Sequence, residues 1–148
     1  MQLTSYSDYS LRVLLYLALN PEATPTIKDI AANYDISKNH LMKVVNNLTQ
    51  TGYVEAIRGR SGGLKLARNP SDIVLGEVIR KTEGDFRIVE CFDAKTNTCV
   101  IAEDCRLKHI LNEALSAFLG ILDRYTLDDL ALPQASLREA LNLTHKPS

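Results

Sequence analysis

Tryptophan is absent from this 148-residue chain, methionine occurs twice and cysteine three times, beside only five prolines and seven glycines. So little proline and glycine rules out a collagen-like or low-complexity chain. Three cysteines cannot close into a complete disulfide framework, so the chain is not a disulfide-stapled scaffold. No apolar run reaches the ~18 residues of a membrane-crossing helix. Charge of one sign is also missing, because 17 basic residues face 18 acidic ones. What is present, 45% hydrophobic and 24% charged residues, is the composition of a folded domain able to bury a real core. The opening "MQLTSYSDYS" has no basic leader or signal-type apolar stretch, so the expected location is the cytoplasm, where thiols stay reduced.

The near-neutral total conceals a division. Residues 1–70 carry eight basic against five acidic side chains, whereas residues 71–148 carry nine against thirteen. Within residues 36–68 the balance is six to one, the electrostatic footprint of a polyanion site.

Apolar spacing predicts the elements that carry this charge. "SYSDYSLRVLLYLALN" aligns Tyr9, Val13, Tyr16 and Leu17 on one helical face and ends at Asn20-Pro21. Thr26 and Asp29 form a capping-box pattern ahead of Ile27, Ile30 and Ala31. Ser37 is placed to cap a third helix, with Leu41, Val44, Val45 and Leu48 inward and Gly52 at its end. "YVEAIRG", "RSGG" and "LKLAR" then read as a strand, a turn and a returning strand. The expected fold is mainly α with a small β-hairpin wing, a winged helix-turn-helix over residues 1–83. "DIVLGEVIRKTEG" adds a short helix, residues 84–104 are irregular, and a long helix runs from about Glu103 to Arg124. Its stripe of Leu107, Ile110, Leu111, Ala114, Leu115, Phe118, Leu119 and Leu122 is too broad for a lone surface helix. Residues 105–131 are therefore expected to be a dimerisation helix with a cap at Thr126, followed by a patternless tail, 132–148.

The third helix exposes Lys38, Asn39, His40, Lys43, Asn46 and Asn47, types that read guanine and adenine edges in the major groove. Arg58, Arg60 and Ser61 at the hairpin tip are suited to phosphates or the minor groove. The tip glycines Gly59, Gly62 and Gly63 either admit a phosphate or serve turn geometry. Two such heads in a homodimer predict a palindromic double-stranded operator. No nucleophile elbow, metalloprotease pattern or other catalytic constellation is present, so no enzyme activity is expected.

All the sulfur of cysteine lies in "CFDAKTNTCVIAEDC", with seven and then five residues between Cys91, Cys99 and Cys105. Several chemistries fit this spacing. Zinc would recruit His109, one helical turn after Cys105, but the close C-x2-4-C pair usual for structural zinc is missing. A thiol switch would leave one sulfur over. An iron–sulfur cluster accepts loop-borne ligands at loose spacing, and Arg106 and Lys108 would offset its negative charge.

The stretches "MQLTSYSDYSLRVLLYLA", "ISKNHLMKVVNNL", "GYVEAIRGRSGGLKL", "LGEVIRKTEGDFRIVEC" and "CRLKHILNEALSAFLGILDRYTLDDL" closely resemble the Rrf-type winged-helix repressors, over about residues 1–131. Within that family the chain looks most like the nitric-oxide-sensing members. The resemblance implies a homodimeric cytoplasmic repressor of nitric-oxide stress genes. Its iron–sulfur cluster, four-iron with two-iron as the alternative, would be held by Cys91, Cys99 and Cys105 and destroyed by nitric oxide. It further implies a fourth ligand from the partner subunit, an Asp near the start of the first helix, which matches Asp8 here. Without the resemblance, Asp8 is read as complementing the helix dipole beside Arg12. Family members that regulate iron–sulfur assembly use instead a His three residues after the last cysteine. Lys108 stands at that position and His109 one further on, so this chain departs from their pattern. The remaining alternatives are a regulator of the same fold that senses redox state, iron or cluster status, one that uses its cysteines for zinc or as thiols, and a cluster-bearing electron carrier.

Overall fold

The computed structural model describes residues 1–143, seven α-helices with one antiparallel hairpin among them. Helix α1 (Ser5–Leu19) starts where the Thr4 hydroxyl accepts from the Ser7 N–H and ends at Asn20, ahead of Pro21. Its Val13, Leu14, Tyr16, Leu17 and Leu19 form the centre of the core. Helix α2 (Ile27–Tyr34) opens with the expected capping box. The Thr26 N–H donates to Asp29 Oδ2 at 2.8 Å, and the Asp29 N–H donates back to Thr26 Oγ1 at 3.3 Å. These bonds hold the Asp29 carboxyl below its usual range. Asp35, in the left-handed region at φ 52°, turns the chain into helix α3 (Lys38–Gln50). Ser37 occupies the N-cap of α3 as expected, but its side chain makes no capping hydrogen bond.

Strands β1 (Val54–Ile57) and β2 (Gly63–Leu66) pair from Val54↔Leu66 to Ile57↔Gly63, leaving residues 58–62 as the wing tip. The wing is fastened at its root. The Leu64 N–H donates to the Pro25 carbonyl at 2.8 Å, and the Thr24 hydroxyl donates to the Ser61 carbonyl at 2.7 Å. A Cβ on Gly63 would lie 2.0 Å from the Thr24 carbonyl oxygen, and one on Gly62 would lie 2.3 Å from that of Ile57. The two glycines therefore serve close approach within the chain, the geometric reading of the "GG" pair.

Helix α4 (Leu75–Thr82) buries Val78 and Ile79, with Ile73 just before it. Residues 84–104 are irregular, interrupted by one 3-10 turn at Glu90–Phe92. Helix α5 (Arg106–Leu122) is shorter at both ends than the spacing predicts, because residues 101–104 form turns and Asp123 caps the C-terminus. It buries none of its residues, and Leu107 and Ile110 are 59% and 51% exposed, so its apolar stripe lacks a cover among the described residues.

The C-terminal segment returns to the core. Helix α6 (Leu127–Leu130), behind its Thr126–Asp129 capping box, buries Leu127 completely in the same core as α1. The tail from Pro133, expected to be patternless, contains helix α7 (Gln134–Ala140). Leu141 is buried, Leu137 and Leu143 pack against the core, and the Arg138 guanidinium donates to the carbonyls of Leu19 and Leu143. So short a helix shows too little periodicity to be read locally and is held by docking. Residues 126–143 therefore pack on the same core as the winged helix, whereas α5 touches it chiefly through α4. Positions 144–148 of the predicted tail lie outside the described residues.

Candidate functional site

Lys38, Asn39, His40 and Lys43 stand exposed on the first two turns of α3, whose first turn contains no acidic residue. The helix N-terminus and the charges of Lys38 and Lys43 form one positive end. Asn46 is exposed as well. Asn47 differs, since it is half-buried and its Oδ1 is buried without a hydrogen-bond partner. Arg58, Arg60 and Ser61 are all exposed at the wing tip. The apolar side of α3 packs on α1 and α2, so helix face and wing are carried by one rigid core.

Behind α3, an aromatic and cationic cluster joins α1 to α2 and α3. The His40 ring lies 6.4 Å, centroid to centroid, from Tyr9 of α1. The Arg12 guanidinium lies 5.8 Å from the ring centroids of both Tyr9 and Tyr34. The Tyr34 hydroxyl donates to the Arg12 carbonyl at 3.1 Å. Burial pushes that phenol up to about 12, although the Arg12 charge opposes the rise. Helical spacing places Tyr9 near Arg12, but only the packing of α1 against α2 and α3 brings Tyr34 and His40 to them.

Asp8 lies in the first turn of α1, and both its oxygens face Arg12, at 2.8 Å from Nη2 and 3.2 Å from Nε. The ion pair expected within the helix is thus present, with both side chains close to half exposed.

Cys91 lies in the 3-10 turn, Cys99 donates its N–H to Asn97 Oδ1 at 3.0 Å, and Cys105 is the N-cap of α5. All three are free and half-buried. The fold confines them to one irregular segment but does not converge them. Among the described residues no three His, Cys, Asp or Glu side chains come close enough to hold a metal ion. Neither His109, exposed on α5, nor Asp8 joins the thiols in one chain.

The donor set nevertheless suits iron. Three soft sulfurs are carried on backbone held by short-range turn bonds, such as Thr96 N–H to the Asp93 carbonyl and Ala102 N–H to that of Cys99. All three lie outside the α-helices and strands. Upstream of Cys91, Arg87 spans Asp85 at 2.8 Å and Asp93 at 2.9 Å, which anchors the start of the segment.

A basic recognition helix and wing on one core, joined through a cysteine segment to an amphipathic helix, define a DNA-binding transcription regulator. The family described as Rrf2, iron-dependent transcriptional regulator, matches residues 3–133, and the chain belongs to that family. It is 58% identical over 144 residues to the HTH-type transcriptional regulator NsrR of Bacillus subtilis, spanning 97% of this chain and 99% of that protein. It is 54% identical over 142 residues to NsrR of Geobacillus kaustophilus, spanning 95% and 97%. Among solved structures it is similar to CymR, the global cysteine regulator of B. subtilis, at a TM-score of 0.67 and 28% identity over 88% of this chain and 96% of that one. A transcriptional regulator from Listeria innocua superposes at a TM-score of 0.72 with 26% identity, covering 100% and 95%. These relatives are named as regulators, a role without catalysis, and no described helix is long and apolar enough to cross a membrane.

Proposed function

We propose that this chain is a homodimeric transcriptional repressor that senses nitric oxide through an iron–sulfur cluster, most simply of the four-iron type, and releases its operator when the cluster is lost. The observation that carries the reading is the confinement of three free, half-buried thiols to the irregular segment that ends at Cys105, where α5 begins. In this reading Cys91, Cys99 and Cys105 hold the cluster, and the partner subunit's Asp8 supplies the fourth ligand. The bound cluster would supply iron that reacts with nitric oxide. Asp8 is suited to this role because its carboxylate stays near the surface on Arg12, with which it can exchange partners. Uncovered apolar side chains on α5 support pairing of two copies along that helix.

The chain's own residues then provide the coupling. Thiols of one subunit and Asp8 of the other tie each cysteine segment to the first helix of the partner's reading head. With that tie, both recognition helices reach successive major grooves together, and the second contact is effectively intramolecular. Without it, the heads bind as independent weak modules and operator affinity falls.

The test is an anaerobic nitric-oxide titration that follows the cluster's visible absorption and operator binding in the same sample. Parallel loss is expected, and cluster loss with undiminished DNA binding refutes the sensor. A purified protein holding zinc, or no iron and labile sulfide, refutes the cluster and leaves the thiol or zinc form of the same regulator.

A further inference from the structure

The uncovered helix α5 is unequally attached at its two ends. Its N-terminus continues from the irregular cysteine segment, with Cys105 at the cap. Its C-terminus is fastened to the winged domain by backbone and side chain at once. Val74 and Thr126 form an isolated antiparallel bridge; the Leu75 N–H donates to the Tyr125 carbonyl at 2.9 Å, and the Leu127 N–H donates to that of Ile73 at 2.8 Å. Beside this bridge, Arg80 of α4 meets Asp123 at the end of α5 as fork on fork, Nη1 to Oδ1 at 2.5 Å and Nη2 to Oδ2 at 2.7 Å. The Asp123 carboxylate also fills the space above Gly76, where a Cβ would stand 1.9 Å from Oδ1 and 3.0 Å from Arg80 Nη1. No larger residue at position 76 leaves this seat intact.

An exposed ion pair of this kind contributes little to stability. Two parallel bonds seated on a glycine do, however, define a direction. Helix α5 has 17 residues and is about 25 Å long, so slack of about 8° at its fastened end displaces the other end by about 3.4 Å, the rise of one base pair.

We infer that Arg80, Asp123 and Gly76 form the joint that fixes the reading head on the dimerisation helix, and so are positioning residues that set the half-site spacing the dimer accepts. The inference rests on the homodimeric reading above. None of the three residues needs to touch DNA, and the joint acts on how the two heads are placed relative to each other.

The experiment measures binding of full-length wild type, Gly76→Ala, Arg80→Gln, Arg80→Lys and Asp123→Asn, purified anaerobically and matched in iron content, to three duplexes. The first is the operator selected from random sequence by the wild type, and the others are the same operator with one base pair added to or removed from its centre. Wild type is expected to prefer the selected spacing by about tenfold or more, since one base pair changes both separation and rotational phase. The four variants, with melting temperature and dimeric sedimentation unchanged, are expected to discriminate by no more than about threefold. Arg80→Lys tests the fork itself, because it keeps the charge but cannot make the paired bonds. If the variants discriminate as wild type does, the joint is refuted while the dimeric reading stands. A wild type that sediments as a dimer yet is indifferent to spacing refutes the joint, and one that sediments as a monomer refutes the dimeric reading on which it rests.

Discussion

Leu127→Ala tests whether the C-terminal segment is part of the reading head. Leu127 is fully buried among α1 and its neighbours, and its N–H is bonded to the Ile73 carbonyl. Truncation removes buried side-chain carbons and leaves a cavity in a core that the Val74–Thr126 bridge keeps from collapsing. Such changes cost about 2–5 kcal/mol, a large part of the roughly 5–15 kcal/mol that stabilises a domain. With a slope of about 2 kcal/mol per molar urea, the midpoint should fall by about 1–2.5 M. The assay is urea unfolding followed by far-ultraviolet circular dichroism at fixed protomer concentration. Ile110→Ala is the comparison, since its side chain is 51% exposed in the single chain. In an isolated chain that change should stay within about 0.5 kcal/mol, whereas in a dimer along α5 its cost becomes larger and depends on concentration. A midpoint shift below about 0.3 M for Leu127→Ala would refute the placing of this segment in the core.

Cys99→Ser should abolish bound iron and labile sulfide while leaving the melting temperature of the metal-free protein within a few degrees, because Cys99 is only half-buried and outside regular structure. Arg60→Ala at the exposed wing tip should weaken binding to all duplexes by a similar factor and lower the salt slope by about one, as measured by titration at several salt concentrations. Tyr34 gives an alkaline signature. Its folded-state pKa lies above the unfolded value of about 10, so its contribution is fully present below pH 10 and is lost as pH rises through about 12. Tyr34→Phe should flatten the fall in urea midpoint over this window. A variant curve as steep as wild type would place the titration elsewhere.

Much of the fold can be read locally because its signals are local. The Thr26–Asp29 box, the Val44–Val45–Leu48 face and the "GRSGG" hairpin each depend on residues within a few positions of one another. The site was legible as an inventory of residue types, namely the cations on α3 and the wing and the three sulfurs between 91 and 105. Their placement was not. Asn47 fits base recognition by type and helix position, but packing leaves it half-buried with an unpaired amide oxygen. Gly62 and Gly63 fit either a phosphate or turn geometry by sequence, and the structure adds a close approach of the chain to both, that of the Thr24 carbonyl at Gly63.

By itself, then, the sequence determined the winged helix-turn-helix, its basic face and a cysteine segment preceding an amphipathic helix, since periodicity, capping and charge act over a few residues. Only the tertiary structure decided that residues 126–143 return to the core, that the cysteines remain apart in one chain, and that Arg80, Asp123 and Gly76 meet across 47 positions of sequence. Those outcomes depend on which surfaces are left to be covered once the helices have formed, and no window of local sequence contains that information.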